Sequence, residues 1–315
     1  MIKKTLIASL LAFASLSASA QTSLDLSRYQ VSASYNLDTL SEMGLEASAV
    51  TYARDRGSLF FVGDEGLGVV EISLTGQTLG KMNFNWTGTG STNNDAEGLT
   101  YLGNGVLVVA EERLQDAFKF NYVAGGSVTL ANAEFVSIGS TVGNVGTEGI
   151  SYDPRDGSFV SVKQDGPVAL LAGGLTFAQG GGVSSMSTLY SGTTSLFGVN
   201  SFSDVQTLSP IDALVGTAAA DNLLILSLDS KKLIEINRSG QVLSSLDLSG
   251  VTNQAIEGVT VDEKGTIYLV AEDSGMPNSK LFVLTAPVPE PETYAMLLAG
   301  LGLLGAVARR RKLAA

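Results

Sequence analysis

Residues 95–112 read DAEGLTYLGNGVLVVAEE, and residues 255–273 read AIEGVTVDEKGTIYLVAED. Each stretch carries a Glu-Gly pair, a short alternating run, a glycine-containing turn and a second run rich in valine, leucine and isoleucine. Alternating β-branched and aromatic residues are typical of strands, and Gly- and Asp-containing turns join antiparallel strands. Both stretches therefore predict a pair of adjacent antiparallel strands, repeated 160 residues apart.

The same pattern recurs along the body of the chain. Acidic residues ahead of a short alternating run are separated by 51, 51, 56 and 53 residues, and they are Glu46, Glu97, Glu148, Asp204 and Glu257. A period of this length is typical of the four-stranded blade of a β-propeller. The sequence predicts an all-β, five-bladed β-propeller. A six-bladed ring is the alternative, but it would need another unit inside residues 149–204, which are too few for two blades.

The last unit lacks one strand. It contains three strand-like runs and ends with KLFVLT at residues 280–285, whereas SRYQVSASYNL at residues 27–37 is an unassigned strand-like run ahead of the first unit. A ring leaves no long open sheet edge when an N-terminal strand completes its last blade. We therefore expect residues 25–287 to form one propeller that the N-terminal strand closes.

The N-terminus has the pattern of a secretory signal peptide. Residues 1–20 read MIKKTLIASLLAFASLSASA, with two lysines, a short apolar run and small residues at the end. The apolar run is short for a membrane span, so cleavage after export is expected, with a retained anchor as the alternative.

The C-terminus has three parts in a fixed order. Residues 288–315 begin with Pro289, Glu290 and Pro291, continue with a Gly-rich apolar stretch and then carry four basic residues. This tail resembles the PEP-CTERM protein-sorting signal. The resemblance implies an inner-membrane-anchored precursor that exosortase processes and releases to the cell surface or the medium; a plain membrane anchor is the alternative. Apart from this segment, no membrane contact is expected.

The amino-acid composition limits the kinds of binding partner and catalytic or metal site that the chain can have. The chain has a formal net charge of −12 and contains no histidine and no cysteine. An acidic chain is a poor partner for nucleic acid, which is bound through basic patches. Without histidine or cysteine, Ser-His-Asp and Cys-His catalysis and ordinary zinc sites are excluded. Carboxylate and carbonyl oxygens remain, and these are ligands for calcium or magnesium.

Strand direction predicts where the repeated carboxylates meet. The start of the first strand of a blade and the end of the second lie at the same mouth of the channel, because the two strands are antiparallel. We expect the carboxylates at these positions to bind calcium: Glu97, Glu148, Glu257, Glu111 and Glu272. The alternative is structural, with each glutamate accepting backbone N–H groups or pairing with Lys163 or Arg113. Glu112 is expected to be a solvated charge at the rim.

Several motifs resemble those of the SdiA-regulated family. They are AEGLTY at 96–101, EER at 111–113, LSLDSKKLIEI at 226–236 and QAIEGV at 254–259. The resemblance implies a five-bladed ring with a calcium site and no established activity. The first unit departs from the pattern with Glu-Ala-Ser-Ala, and the fourth has no glycine after Asp204, so these two blades are the weaker candidates for a site.

Two functions fit these features. One is an exported calcium-binding module that acts as a binding or scaffold protein at the cell surface or in the exopolysaccharide matrix. The other is a calcium-dependent hydrolase of lactones or phosphoesters, in which a carboxylate acts as the base. The sequence contains no separate nucleophile motif, which favours the binding module.

Overall fold

Short alternating runs and glycine-containing turns form 23 β-strands and four short 3-10 helices in the described part of the computed structural model. That part comprises residues 21–37, 46–64, 67–193, 195–273 and 275–287, together with Gly300. Residues 21–25, here called the N-terminal segment, lead into a 3-10 helix (Leu26–Arg28) and strand β1 (Gln30–Asn36). The predicted signal peptide and the motif Pro289-Glu290-Pro291 lie outside the described residues.

The first two blades follow β1 along the chain. Blade one has the order β2-β3-β4-β5, with bounds β2 (Ala47–Ala53), β3 (Ser58–Gly63), β4 (Gly68–Ile72) and β5 (Thr78–Asn85). Blade two has the order β6-β7-β8-β10, and the chain contributes β6 (Ala96–Gly103), β7 (Val106–Glu111), β8 (Asp116–Asn121), β9 (Ser127–Thr129), a 3-10 helix (Leu130–Asn132) and β10 (Glu134–Ser137). Strand β9 leaves its own blade and pairs in parallel with β5 at the outer edge of blade one.

Blades three and four repeat the arrangement. Blade three has the order β11-β12-β13-β16, with a small β14-β15 hairpin beside it; its strands are β11 (Thr147–Asp153), β12 (Ser158–Lys163), β13 (Val168–Gly173), β14 (Leu175–Thr176), β15 (Val183–Ser184) and β16 (Ser187–Gly192). Blade four has the order β17-β18-β19-β20, from β17 (Asp204–Thr207), 3-10 helices (Asp212–Leu214 and Ala218–Asp221), β18 (Leu223–Ser227), β19 (Lys232–Ile236) and β20 (Val242–Asp247).

Blade five joins the two ends of the chain. It has the order β21-β22-β23-β1, with β21 (Ile256–Val261), β22 (Ile267–Ala271) and β23 (Lys280–Thr285). Strand β1 pairs antiparallel with β23, from Gln30 opposite Thr285 to Asn36 opposite Lys280. The predicted five-bladed ring and its closure by the N-terminal strand are confirmed.

Glu235 of blade four fixes the N-terminal segment to the ring. This carboxylate is fully buried and has no arginine or lysine partner among the described ion pairs. It instead accepts hydrogen bonds from five donors: Ser23 Oγ, the backbone N–H groups of Leu24 and Asp25, Asn222 Nδ2 and Ser244 Oγ. Blade four thus holds the chain just before it enters blade five.

The apolar core lies between the blades. Consecutive residues of a strand point to opposite faces of its sheet. Phe60 packs in the cluster between blades one and two, and its neighbour Phe61 packs in the cluster between blades five and one. Because both faces of each sheet are covered, the second strands are continuous apolar runs such as SLFFV.

Side-chain hydroxyls link the innermost strands around the channel. The backbone N–H groups of Tyr101 and Tyr152 donate to Thr51 Oγ1 and Thr100 Oγ1 of the preceding blades, at 3.1 and 3.0 Å. Equivalent bonds join Thr207 to Ser151 and Tyr52 to Thr260. At the remaining junction, Thr260 Oγ1 donates to Gln206 Oε1. These contacts fix the angular position of each blade and hence of the residues at both mouths.

Within the described ranges, no helix has the length and apolar character needed to cross a membrane.

Candidate metal centre

Three of the predicted glutamates occupy β-bulges at the starts of innermost strands. In β6 the pairing with β7 shifts between Ala96 and Gly98, so Glu97 has no partner in the ladder. Glu148 in β11 and Glu257 in β21 occupy the same kind of bulge. A bulge leaves its extra residue unpaired and redirects the side chain. The repeated Glu therefore marks the same irregular position in three blades.

The glycine after each bulged glutamate leaves room for the next blade. A Cβ added to Gly149 would lie 2.7 Å from the Cα of Asp204, and one added to Gly258 would lie 2.9 Å from the Cα of Ala49. In blades three and five the Glu-Gly pair is thus explained by packing as well as by chemistry, since a side chain at the second position would collide with the neighbouring backbone.

Blades one and four depart from this pattern, as their sequences indicated. In blade one the bulge between Ala47 and Ala49 contains Ser48, so the predicted unit start Glu46 lies two residues too early. In blade four the ladder shows no bulge, and Asp204 pairs directly with Leu226. Blade four therefore places no carboxylate at the bulge position.

Asp204 has a structural role instead. Its carboxylate accepts the N–H groups of Val205 and, across the blade junction, of Val259, both at 2.7 Å. Burial raises the pKa of Asp204 well above its usual value, although both hydrogen bonds oppose this effect. Asp204 links blade four to blade five.

A second ring of positions follows the second strand of four blades. The backbone N–H of Glu112 donates to Asp95 O at 2.9 Å, and that of Glu272 donates to Ala255 O at 3.0 Å. The same bond connects Asp64 to Glu46 in blade one and Gln164 to Gly146 in blade three. The register therefore aligns Glu272 with Glu112 and Asp64, and it does not align Glu272 with Glu111.

This register separates Glu111 from the other predicted ligands. Glu111 is buried, and its carboxylate accepts hydrogen bonds from Ser91 Oγ and the backbone N–H of Leu114, each at 2.5 Å. It therefore stabilises the loop before β6 and the turn after β7. Glu112, expected to be a solvated rim charge, is instead buried and accepts the N–H of Gly146 at 3.1 Å, so that expectation was wrong.

The remaining carboxylates gather at one end of the channel, here called the acidic mouth: Asp64, Asp95, Glu97, Glu112, Glu148, Glu257 and Glu272. Asp64, Asp95 and Glu97 each offer a carboxylate oxygen, and these three oxygens lie within 4.8 Å of one another. Asp64 belongs to blade one, and Asp95 and Glu97 belong to blade two. Neither Asp64 nor Asp95 is among the residues that the sequence predicted to bind calcium.

Several carboxyl groups of the acidic mouth have raised pKa values, so they keep their protons at a pH where isolated carboxyl groups are ionised. Burial raises the pKa of Glu97 well above its usual value, and the charges of Glu257, Asp64 and Asp95 add to the effect. Burial likewise raises the pKa of Glu148, with contributions from Glu97 and Glu112. Like charges in a poorly solvated site cannot all ionise. The carboxyl groups therefore titrate as a coupled set.

The other two groups have pKa values close to neutrality. Burial, the charge of Glu272 and that of Asp64 raise the pKa of Glu257 to about 8. Burial raises the pKa of Glu112 to about 7, while its hydrogen bond with Glu148 acts in the opposite direction. The same hydrogen bond contributes to the raised pKa of Glu148, so the protonation states of these two carboxyl groups depend on each other.

The basic residues named as alternative partners have other positions. Arg113 pairs with Asp95, a member of the acidic mouth. Among the described ion pairs, Glu148 has none with Lys163. The donor set is oxygen only, is strongly anionic and is partly buried, which fits a hard divalent cation such as calcium.

The fold and this mouth define the class of protein: a five-bladed β-propeller with an acidic channel entrance. The family model SdiA-regulated matches residues 21–282, and the chain belongs to this family. A second model, the PEP-CTERM protein-sorting motif, matches residues 287–312. This sorting signal implies an exported protein with a C-terminal membrane anchor and processing by exosortase.

Solved structures with similar folds are distant in sequence. Glutaminyl cyclase from Myxococcus xanthus is 15% identical, with 82% of this chain and 95% of that chain covered and a TM-score of 0.51. The β-propeller domain of Cps50 (Swd1) from Myceliophteria thermophila is 13% identical over 78% and 66% of the two chains, with a TM-score of 0.36. A catalytically inactive virginiamycin B lyase from Staphylococcus aureus with quinupristin is 11% identical over 76% and 66%, with a TM-score of 0.40. The first of these similarities supports the fold alone.

Proposed function

We propose that this protein is an exported calcium-binding propeller that acts as a binding or scaffold module at the cell surface or in the exopolysaccharide matrix. One observation carries the proposal: carboxylates from four of the five blades converge on the acidic mouth, and Asp64, Asp95 and Glu97 offer three oxygens within 4.8 Å. The sorting signal supports the location.

Asp64, Asp95 and Glu97 are the residues that would hold the ion. When bound, calcium supplies the positive charge that allows neighbouring carboxylates to ionise together. Because Asp64 lies in blade one and the other two lie in blade two, the three ligands join two blades across their interface. Glu148, Glu257 and Glu272 lie around this group and provide further negative charge. Glu111 is not part of the proposed ligand set.

The test is a set of calorimetric melts with calcium and with chelator. Calcium should raise the melting temperature. At a calcium concentration one hundred times Kd, binding should stabilise the folded state by about 2.7 kcal/mol. Magnesium should have a smaller effect because it requires near-ideal octahedral geometry. Glu97→Gln should remove most of the calcium effect. The matched control is Glu134→Gln, whose carboxylate pairs with Lys119 on the outer side of blade two; it should respond to calcium like the parent.

A parent protein whose melting curve is the same in calcium and in chelator would rule out the calcium site. Equal calcium responses of Glu97→Gln and Glu134→Gln would also contradict it, because the ligand set requires Glu97.

The alternative function, a calcium-dependent hydrolase, is favoured by one specific observation. Glu112 and Glu148 are hydrogen-bonded to each other beside the proposed ligands, and burial raises the pKa of Glu112 to about 7. A general acid or base works best when its pKa lies near the working pH. In this function Glu112 would hold or accept a proton next to the bound substrate.

A screen of lactones and phosphoesters in the presence of calcium separates the two functions. Turnover that falls in Glu112→Gln and persists in Glu134→Gln supports the hydrolase. Absence of turnover with intact calcium binding supports the binding module.

A further inference from the structure

The second mouth of the channel contains a separate cavity. The innermost strands start at the acidic mouth, so their C-terminal ends and the turns that follow meet at the opposite end. A cavity of about 560 Å³ lies there, and residues from all five blades line it. Ligand pockets typically have volumes of about 300–1,000 Å³. None of the acidic-mouth residues lines this cavity.

Three tyrosines form one side of the cavity. Tyr52, Tyr101 and Tyr152 occupy the same position in blades one, two and three, one residue after the hydroxyl that links the strands. Each is half-buried, with Tyr101 stacked on Phe60 at 5.8 Å and Tyr152 beside Phe159 at 5.2 Å. Packing thus holds these rings in place. A rigid tyrosine offers an apolar surface at low entropic cost.

The charged groups of the lining are already paired. Arg54 forms two hydrogen bonds with Asp212, both at 2.9 Å. Asp55 accepts the N–H of Asn104 at 3.0 Å and interacts with the Tyr101 hydroxyl. Both charged groups therefore already have hydrogen-bond partners in the protein, and the carboxylate of Asp55 disfavours an anionic ligand, so an uncharged ligand fits best.

Several uncharged polar groups of the lining have no partner among the described residues. These are the Tyr152 hydroxyl and the side-chain amide of Asn104. Thr51 Oγ1 and Thr100 Oγ1 accept backbone N–H groups, and their hydroxyl protons have no acceptor in that part of the chain. The cavity therefore combines aromatic surface with available hydroxyl and amide donors.

We propose that this cavity, here called the tyrosine mouth, binds a neutral mono- or disaccharide. A pyranose ring has an apolar C–H face that can lie against a tyrosine ring, and its rim of hydroxyls both donates and accepts hydrogen bonds. The Tyr152 hydroxyl and the Asn104 amide fit the hydroxyl rim. The binding is independent of calcium, because the tyrosine mouth shares no lining residue with the acidic mouth.

The test is a calorimetric titration of the whole secreted propeller with a panel of neutral hexoses, N-acetylhexosamines and their disaccharides, with hexuronic acids as charged counterparts. At least one neutral sugar should bind, and Tyr152→Phe should weaken it roughly fivefold, the expected effect of one hydrogen bond. The control is Tyr35→Phe, a half-buried tyrosine on β1 outside the cavity, which should bind like the parent. Asn104→Ala should also weaken binding.

Failure to bind any neutral sugar in the panel overturns the proposal, and so does binding that Tyr152→Phe and Asn104→Ala both leave unchanged. Sugar binding that is lost in Glu97→Gln and kept in Tyr152→Phe would assign the sugar to the acidic mouth and overturn it as well. Calcium melts of Tyr152→Phe should match those of the parent, so the saccharide proposal and the calcium proposal fail separately.

Discussion

We expect the acidic mouth to make the stability of the protein, measured in chelator, decrease from mildly acidic to mildly alkaline pH. Burial, with Glu272 and Asp64, raises the pKa of Glu257 from 4.5 to about 8. A carboxyl group that binds its proton more tightly in the folded state stabilises the fold fully below its unfolded pKa. That contribution is lost as the pH rises through the folded pKa. For Glu257 the loss falls between about pH 4.5 and pH 8.

The size of the effect follows from the same values. At about 1.4 kcal/mol per pKa unit, the rise from 4.5 to about 8 corresponds to about 5 kcal/mol for Glu257 taken alone. Its neighbours titrate together with it, so the individual contributions do not add. We expect the free energy of unfolding to fall by an amount on the order of several kcal/mol over this pH range in chelator.

Other carboxylates set the acid side of the profile. Burial alone would raise the pKa of Glu71, but hydrogen bonds from Arg56 and Ser58 hold it below its usual value. Stability from this group is present above its unfolded pKa and is lost as the pH falls through its folded pKa. The metal-free protein should therefore be most stable near about pH 5.

Urea unfolding measured across this pH range, with chelator and with millimolar calcium, is the assay. Calcium should flatten the profile, because bound cation replaces the protons. Glu257→Gln should flatten it in chelator as well, whereas Glu134→Gln should retain the parent profile. A metal-free parent whose stability rises steadily from about pH 5 to pH 8 would show that the carboxylates of the mouth are not coupled in this way.

Three further outcomes are expected. Gly149→Ala should destabilise the fold by about 2 kcal/mol in urea unfolding, because the added Cβ would collide with Asp204. The control is Gly143→Ala, whose Cβ has no neighbour within 4 Å and which should change stability by less than about 0.5 kcal/mol. Equal effects of the two substitutions would contradict the packing argument. Glu235→Gln should lower the free energy of unfolding by about 3 kcal/mol, because an amide cannot accept all five hydrogen bonds. Amide hydrogen exchange should also become faster in the N-terminal segment, and unchanged exchange there would contradict the role of Glu235. In a host with exosortase, mass spectrometry of the released protein should find residues 309–312 removed, and their retention would refute processing.

The fold could be predicted because its inner strands repeat. Glu46, Glu97, Glu148, Asp204 and Glu257 are separated by 51, 51, 56 and 53 residues, and a ring places such positions around one axis. The outer strands were less visible: β9 is three residues long, pairs with the neighbouring blade and has no counterpart in the described parts of the other blades. The β14-β15 hairpin also interrupts the outer part of blade three. Non-local pairing of this kind leaves no periodic signal in the sequence.

The repeat predicted the part of the acidic mouth that recurs from blade to blade, but not the residues that lack a counterpart in the other blades. Glu111 and Glu272 each follow a Val-Ala pair and so look equivalent, but Glu112 and Glu272 both lie 15 residues after the bulged glutamate of their blade, and the strand register makes these two the counterparts. A shift of one residue moves a side chain to the other face of a sheet. Asp95 had no counterpart in blades three and five, where Gly146 and Ala255 take its place. Only pairing in three dimensions identifies it.

The two irregular blades account for the asymmetry of the acidic mouth. Ser48 replaces the bulged glutamate of blade one, and its hydroxyl accepts the N–H of Asp64 at 3.2 Å, beside the second-ring carboxylate. Blade four uses its carboxylate, Asp204, to hold the backbone of blade five. A glutamate at the bulge position of all five blades would add two carboxylates to the seven that already gather at the acidic mouth. Serine in blade one and a structural acceptor in blade four avoid this added charge, and the three carboxylate oxygens that lie within 4.8 Å of one another, where we propose that calcium binds, are at the junction of blades one and two.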